Sequence, residues 1–300
     1  MWDNLKIMID VPVLTLGMVI DGLLIGGIFA LIAYGLALVW GVMNVKNLAQ
    51  GDFVILGAYI TWWLHGYGVN PIFGIPVAFA CLWVLGWLLY RLVVYRVIEH
   101  DLFTSLLATF GIGLVMQQTM KLVFGADEQT IALNLESFGF FDNLLTIQPT
   151  RLIAFIASIV LAIGVISFMK RSRMGQAIRA TAQNPRAARV MGIDTEKVYA
   201  FTFSLNAAIC GAAGGLISLI WEFQPFIGLI YSIRAFVIVT AAGLGNLAAV
   251  IAAGLGMGVV EQTGAFVFGT EYQQAIVVGL LVVVLLVKMI ASSRRREVVA

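Results

Sequence analysis

Amide and carboxylate side chains are concentrated between residues 44 and 52, directly after a long apolar run. The polar residues of this stretch are Asn44, Asn47, Gln50 and Asp52, and two later apolar runs contain the amides Gln117 and Asn206. Polar groups in a lipid-embedded chain tend to face a cavity or the bundle interior. Two interpretations stay open: these residues line a solute path or gate, or they cap a break between two helices, with Asp52 accepting bonds from the freed amides.

A second stretch that could carry chemistry runs from Met174 to Ile193 and is basic. Asn184 followed by Pro185 is a typical helix start, and Gly192 supplies a stop. The pattern predicts two short helices, at about 175–183 and 185–191. They contain Ala177, Ala180, Ala182, Ala187 and Ala188, with Arg179, Arg186 and Arg189 beside them. Small side chains with a positive rim favour docking of another protein, although a polybasic loop on anionic lipid also fits.

Motifs for catalysis or nucleotide binding are missing from the sequence. It has no GxxxxGKS/T loop to hold nucleotide phosphates, and no GxSxG, HExxH or CxxC that would supply a nucleophile, a metal site or a redox centre. We therefore expect a protein that is not an enzyme and that holds no metal or cofactor. Any use of ATP and Mg would need a separate ATPase chain.

Composition places these stretches in a membrane. Hydrophobic residues make up 61% and charged residues 11% of the 300 residues, and the mean hydropathy is +0.99. Soluble domains carry roughly a quarter charged residues. Because the apolar runs do not alternate with polar residues, a β-barrel is not indicated. We predict one all-α transmembrane domain over 1–300, and no nucleic-acid partner.

The apolar runs number about nine, with a range of eight to ten. They lie at about 11–42, 52–66, 71–93, 102–124, 150–169, 198–221, 232–250, 250–268 and 272–291. The first run is long for one helix and is interrupted by Gly35 and Gly41, and the seventh and eighth meet near Gly243, Gly245 and Asn246. Some of these helices are therefore predicted to be broken or re-entrant.

The distribution of positive charge predicts the orientation. With segment 170–197 in the cytoplasm, fourteen of the 18 lysines and arginines lie inside, as the positive-inside rule requires. The remaining four, Lys6, Lys121, Arg151 and Arg234, lie outside. The C-terminus is then cytoplasmic, the N-terminus is external, and segment 125–149, with Asp127, Glu128, Glu136 and Asp142, is external.

Glycine pairs spaced four residues apart predict close helix packing. The pairs are Gly22 with Gly26, Gly211 with Gly215, and Gly254 with Gly258. Such small-xxx-small patterns let helix backbones approach each other in lipid.

Three motifs together resemble the permease subunits of bacterial ABC importers of the branched-chain amino acid type. The loop contributes Gly175, Arg179, Ala180, Asn184, Pro185, Ala188, Gly192 and Ile193. Residues 41–44, 47–52 and 57–59 are similar to the family's N-terminal signature, and residues 107–112 with Gln117 form the third motif. With the glycines from 243 to 258, the resemblance covers nearly the whole chain.

The resemblance implies a multi-pass protein of the inner membrane. It implies a second permease subunit, identical or paralogous, two cytoplasmic ATPase subunits and an external solute-binding protein. The loop would couple to the ATPase through Gly175, Arg179, Ala180, Asn184, Pro185, Arg186, Ala188, Arg189 and Gly192. The solute path would include Asn44, Asn47, Gln50, Asp52, Gln117 and Asn206.

Departures from the family pattern leave the cargo open. The family commonly has histidine at Gln50, has another glycine near Ala248 and Ala249, and ends in a proline-containing tail where this chain has SSRRREVVA. An importer of the same class for urea, short amides or other carboxylates is one alternative. An ion-coupled secondary transporter with Asp52, Glu222 or Glu261 as its ion site is another.

Overall fold

The computed structural model describes residues 2–98, 102–133, 136–140, 145–243 and 246–297. The helices are α1 Trp2–Asp10, α2 Pro12–Met43, α3 Gln50–Gly66, α4 Pro71–Leu89, α5 Tyr95–Val97, α6 Leu102–Phe124, α7 Pro149–Arg171, α8 Arg173–Gln183, α9 Pro185–Val190, α10 Thr195–Ile217, α11 Gly228–Ala242, α12 Leu247–Phe268 and α13 Gln273–Glu297. A π-helical turn, Tyr90–Val94, joins α4 to α5, and a 3-10 turn, Thr270–Tyr272, precedes α13. Parts of the predicted external segment, the hinge residue Gly245 and the end of the tail lie outside these residues.

Each of the nine predicted apolar segments contains a helix, but fewer helices are long enough to cross a membrane. Seven helices of the described chain have the required length and apolar composition, so the predicted count of about nine spans is not confirmed. The two exceptions are α3, with 17 residues, and α11, with 15. Both begin inside the bundle rather than at its end.

Helix α2 is unbroken, so the predicted interruption at Gly35 and Gly41 is wrong. Glycine lowers helix propensity by only about 1 kcal/mol, and here it serves packing. Gly35 gives room to the Asn206 side chain of α10. The predicted break between the seventh and eighth segments is present, because α11 ends at Ala242 and α12 begins at Leu247, after the N-cap Asn246.

Two helices form the centre of the bundle. The most apolar windows of α2 and α10 are 89% and 94% buried, whereas that of α13 is 6% buried. Close backbone contacts hold α2 to α12, as the glycine spacing predicted: a Cβ at Gly22 would lie 2.6 Å from Val259 Cα, and one at Gly26 would lie 2.8 Å from the Gly254 carbonyl oxygen. The outer helices leave apolar side chains exposed, which suits contact with lipid.

The fold is not purely helical. Strands β1, Phe138–Phe140, and β2, Leu145–Ile147, pair antiparallel, with Phe138 opposite Ile147. They lie in the predicted external segment. The same segment is tied to the connection after α10, where Gln129 and Phe223 exchange backbone hydrogen bonds of 2.9 Å.

The α8–α9 turn and helix α1 mark the two ends of the bundle. The turn of α8 and α9 lies at the end where α7 finishes and α10 begins. At the opposite end the Asn4 amide donates to the Phe266 carbonyl near the end of α12, at 2.8 Å. Helix α1 and the α8–α9 turn therefore lie on opposite sides of the bundle.

Candidate functional site

A buried amide network links α2, α3 and α10 at mid-bundle. The Gln50 Nε2 group donates to the Asn206 Oδ1 atom at 3.0 Å and to the Ile32 carbonyl at 2.9 Å, while Asn206 Nδ2 donates back to Gln50 Oε1 at 3.0 Å. Asn47 Nδ2 reaches the same Gln50 oxygen at 3.3 Å. Gln50, Asn47 and Asn206 are all 0% exposed. The network satisfies groups that would otherwise be costly in an apolar interior.

The first residues of α3 and α11 meet beside this network. The Gly51 N–H donates to Ser232 Oγ at 2.8 Å, and that hydroxyl donates to the Leu48 carbonyl at 2.8 Å. Gly228, which begins α11, lies directly against the Asp52 carboxylate. Two helix N-termini, each with about half a positive charge, therefore converge on one buried carboxylate. We call this meeting point the half-helix junction.

The junction also includes the amide of α6. Gln117 Nε2 donates to Asp52 Oδ1 at 2.9 Å, and the Asp52 side chain is 3% exposed. Five of the six predicted path residues thus lie together in two adjoining groups. Asn44 lies apart, because it ends α2 with a φ of 55° and is exposed. The chain does break between α2 and α3, but Asp52 accepts from Gln117 and the Gly51 amide donates to Ser232, so the predicted capping by Asp52 is not among the described contacts.

Replacing Gln50 with leucine is expected to lower the melting temperature of the purified protein. The change removes partners from Asn206, Asn47 and the Ile32 carbonyl at once. Leaving buried polar groups unpaired costs about 1–3 kcal/mol, more than the roughly 0.6 kcal/mol of an average side-chain hydrogen bond between membrane helices. The matched control is Gln118→Leu, at an exposed position of α6, where thermal unfolding in detergent should change little. Equal melting of both variants would argue against the network's stabilising role.

The α8–α9 turn has the predicted helices, and each is capped. The Ser172 hydroxyl accepts from the Gly175 N–H at 2.8 Å, and Asn184 Oδ1 accepts from the Ala187 N–H at 3.0 Å. Gly192 stops the second helix with a φ of 84°. Asp194 then caps α10, and hydrogen bonds from Lys197 lower the pKa of its carboxyl group. These local bonds fix the shape of the turn.

Two predicted coupling residues, Gly175 and Ala188, are buried, and two exposed ones, Arg179 and Arg189, bind neighbouring groups of the chain. Ala188 is 5% exposed, so the prediction that it forms part of an exposed docking surface is wrong. Gly175 is buried against the Met169 backbone, where a Cβ would overlap it. Arg179 donates to the Met169 carbonyl, and Arg189 donates to Thr195 Oγ1 at 2.7 Å. These four residues hold the turn on the bundle.

The exposed face of the turn contains two apolar residues that the sequence reasoning missed. Val190 is 87% exposed and Met191 is 81% exposed, and the predicted Arg186 is exposed beside them. In the sequence both residues lie between Ala188 and the helix stop at Gly192. Their position at the end of α9 could have indicated that they are exposed. Apolar side chains at a tip rimmed by charge are a candidate contact for a partner.

Replacing Asn184 with alanine is expected to fray the second short helix. Loss of an N-cap costs about 1 kcal/mol, and α9 has only six residues to oppose that loss. Hydrogen exchange of the amides from 187 to 191 should become faster. The neighbouring change Gln183→Ala, at an exposed position without a cap role, provides the control, and unchanged exchange in the Asn184 variant would contradict the cap.

One charged pair is mostly buried between α11 and α12. Arg234, which the charge count puts on the external side, lies within α11, and its guanidinium pairs with the Glu261 carboxylate of α12, with Nε and Oε2 3.1 Å apart. The two side chains are 13% and 7% exposed. Counting charges indicates a side of the membrane for Arg234 but does not predict this burial.

These features together define a class of protein. Among the described residues are seven helices long and apolar enough to span a membrane, two shorter helices that start inside the bundle and a capped helical turn at one end. This is the architecture of a multi-pass membrane protein, and helices that start inside the bundle are typical of transporters.

Comparison with known proteins names the family. The chain belongs to the family described as branched-chain amino acid transport system, permease component, whose model matches residues 18–285. It is thus a transport subunit.

Individual relatives are similar over most of their length. The chain is 28% identical to the high-affinity branched-chain amino acid transport system permease protein BraD of Pseudomonas aeruginosa, over 88% of this chain and 90% of that protein. It is 27% identical to the permease protein LivH of Escherichia coli, over 87% and 90%. The permease protein LivM of Escherichia coli is 26% identical over 76% of this chain and 59% of that protein. No solved structure matches the chain.

Proposed function

We propose that this chain is the membrane-spanning permease subunit of a bacterial ABC importer for branched-chain or related amino acids. Its partners are a second permease subunit, two cytoplasmic ATPase subunits and an external solute-binding protein, and it resides in the inner membrane. The match over residues 18–285 carries the proposal. ATP and Mg bind the ATPase subunits and not this chain.

The α8–α9 turn is the proposed contact with the ATPase. It is fixed in shape by its caps and by Arg179 and Arg189, and it exposes Val190 and Met191. A contact that transmits force needs such rigidity, whereas a lipid-binding loop does not. This assignment makes the turn and the C-terminus cytoplasmic and the N-terminus external, in keeping with the distribution of positive charge.

Uptake of labelled leucine by cells tests the proposal. Deleting the gene should abolish uptake, and the intact gene should restore it. Collapsing the proton gradient while glycolysis maintains ATP should leave uptake largely intact. Loss of uptake under that condition would instead indicate an ion-coupled transporter. Inhibition of leucine uptake by excess isoleucine, but not by urea or acetamide, would support the amino acid as cargo.

A further inference from the structure

A polar cleft opens at the end of the bundle that carries α1. It has a volume of about 660 Å³ and lies between the outer halves of α2, α11 and α12 and the start of α13. This volume falls in the range of roughly 300–1,000 Å³ that small-molecule sites occupy. Its walls combine apolar surface from Ile25 and Trp221 with the charged groups of Arg234, Glu261 and Glu222.

The Arg234–Glu261 pair is held rigidly in the cleft wall. The guanidinium lies 4.9 Å from the ring centre of Phe29 and 5.4 Å from that of Tyr231. Its Nε and Nη2 groups both donate to the Glu261 carboxylate. A guanidinium has five N–H donors. The pair uses two of them, so donors remain for an anion that enters the cleft.

The pair is not needed to explain the fold. Desolvation of two charges offsets much of their attraction, and apolar residues of similar volume are often equally stabilising. Arg151 also lines the cleft and forms a second pair, in which its Nη1 lies 2.9 Å from Asp21 Oδ2. Within the part of the chain that the structure describes, Arg151 Nε and Asp21 Oδ1 have no hydrogen-bond partner. The cleft thus combines cationic donors and anionic acceptors beyond what packing requires.

We propose that this cleft binds a free zwitterion of amino acid size. Its carboxylate accepts from Arg234, its ammonium group donates to Glu222 and Glu261, and an apolar side chain packs on Ile25 and Trp221. The inference rests on the proposed function and assigns the site through which the solute enters this subunit. The headgroup of phosphatidylethanolamine has the same paired charges, so the test must separate free solute from lipid.

Binding to the full chain in nanodiscs of phosphatidylglycerol provides the test. Labelled leucine should bind, while leucinamide, which lacks the carboxylate, and 4-methylpentanoate, which lacks the ammonium group, should not compete. The double variant Arg234→Met with Glu261→Met keeps the volume and removes both charges. It should bind leucine about tenfold more weakly or worse, since charge-assisted hydrogen bonds are lost. The control Arg91→Met, at a cytoplasmic-side arginine that stacks on Trp87, should bind normally.

A second variant guards against misfolding of the first. Glu222 is exposed at the rim, so Glu222→Gln should leave the fold intact and weaken leucine binding several-fold. Undiminished binding by both variants, or equal competition by all three ligands, would overturn the proposal. Binding that phosphatidylethanolamine abolishes would assign the cleft to lipid and also overturn it. Failure of leucine uptake by unmodified cells would instead contradict the proposed function.

Discussion

Replacing Gly51 with alanine is expected to prevent most of the chain from reaching its folded state. A Cβ at this position would overlap the carbonyl oxygen of Gly228 at the half-helix junction and would lie 3.0 Å from the Ser232 nitrogen. Overpacking typically costs about 1–3 kcal/mol when side chains can shift. Here the obstacle is the backbone of α11, so we expect a loss at or above the upper end of that range.

The folded fraction after detergent extraction, followed by size-exclusion chromatography and thermal unfolding, measures this effect. Gly111→Ala is the matched control, because a Cβ there meets no atom of the described residues within 4 Å and alanine favours a helix by roughly 0.5–1 kcal/mol over glycine. The control should melt at or above the temperature of the unmodified protein. If the Gly51 variant melts with it, α3 and α11 do not touch as described.

Replacing Val190 and Met191 together with aspartate is expected to abolish solute uptake while the chain still inserts and folds. Both side chains are exposed and apolar, so neither change disturbs packing within the chain. Their loss removes the apolar contact proposed for the ATPase subunit and places two carboxylates there. The uncoupled permease should no longer retain the ATPase during affinity purification.

The control is Tyr67→Asp, at a residue that is 72% exposed at the opposite end of the bundle. It should keep both ATPase retention and uptake. The variant Ala188→Glu cannot replace the double variant in this experiment, because Ala188 is buried and a charge there would disrupt the α8–α9 turn itself. Normal copurification of the ATPase with the double variant would exclude Val190 and Met191 as the contact with the ATPase.

Local signals in the sequence predicted much of the fold. Each apolar run became a helix, and the caps at Asn184 and Gly192 formed as their residue types indicated. The glycines of α2 were harder to interpret, because glycine can break a helix or bring two helices together. Which of these roles the glycines of α2 have depends on where α12 and Asn206 lie. Those positions cannot be read from the local sequence of α2.

The candidate site depended on contacts that are distant in sequence. Gln50 and Asn206 are 156 residues apart, and Arg234 and Glu261 are 27 apart. Charge counting assigns a residue to one side of the membrane and takes no account of depth, so it does not predict that Arg234 is buried against Glu261. The exposure of Val190 and the burial of Ala188 likewise depend on how α9 rests on the bundle.

The unbroken helix α2 connects the two ends of the molecule mechanically. Its 32 residues extend for about 48 Å at 1.5 Å per residue, farther than the roughly 30 Å hydrocarbon core. Near one end, Ala37 and Trp40 line a cleft shared with α8, and toward the other, Ile25 lines the polar cleft. Because the helix is continuous, a tilt imposed at the α8 end would also move the part of α2 that lines the polar cleft.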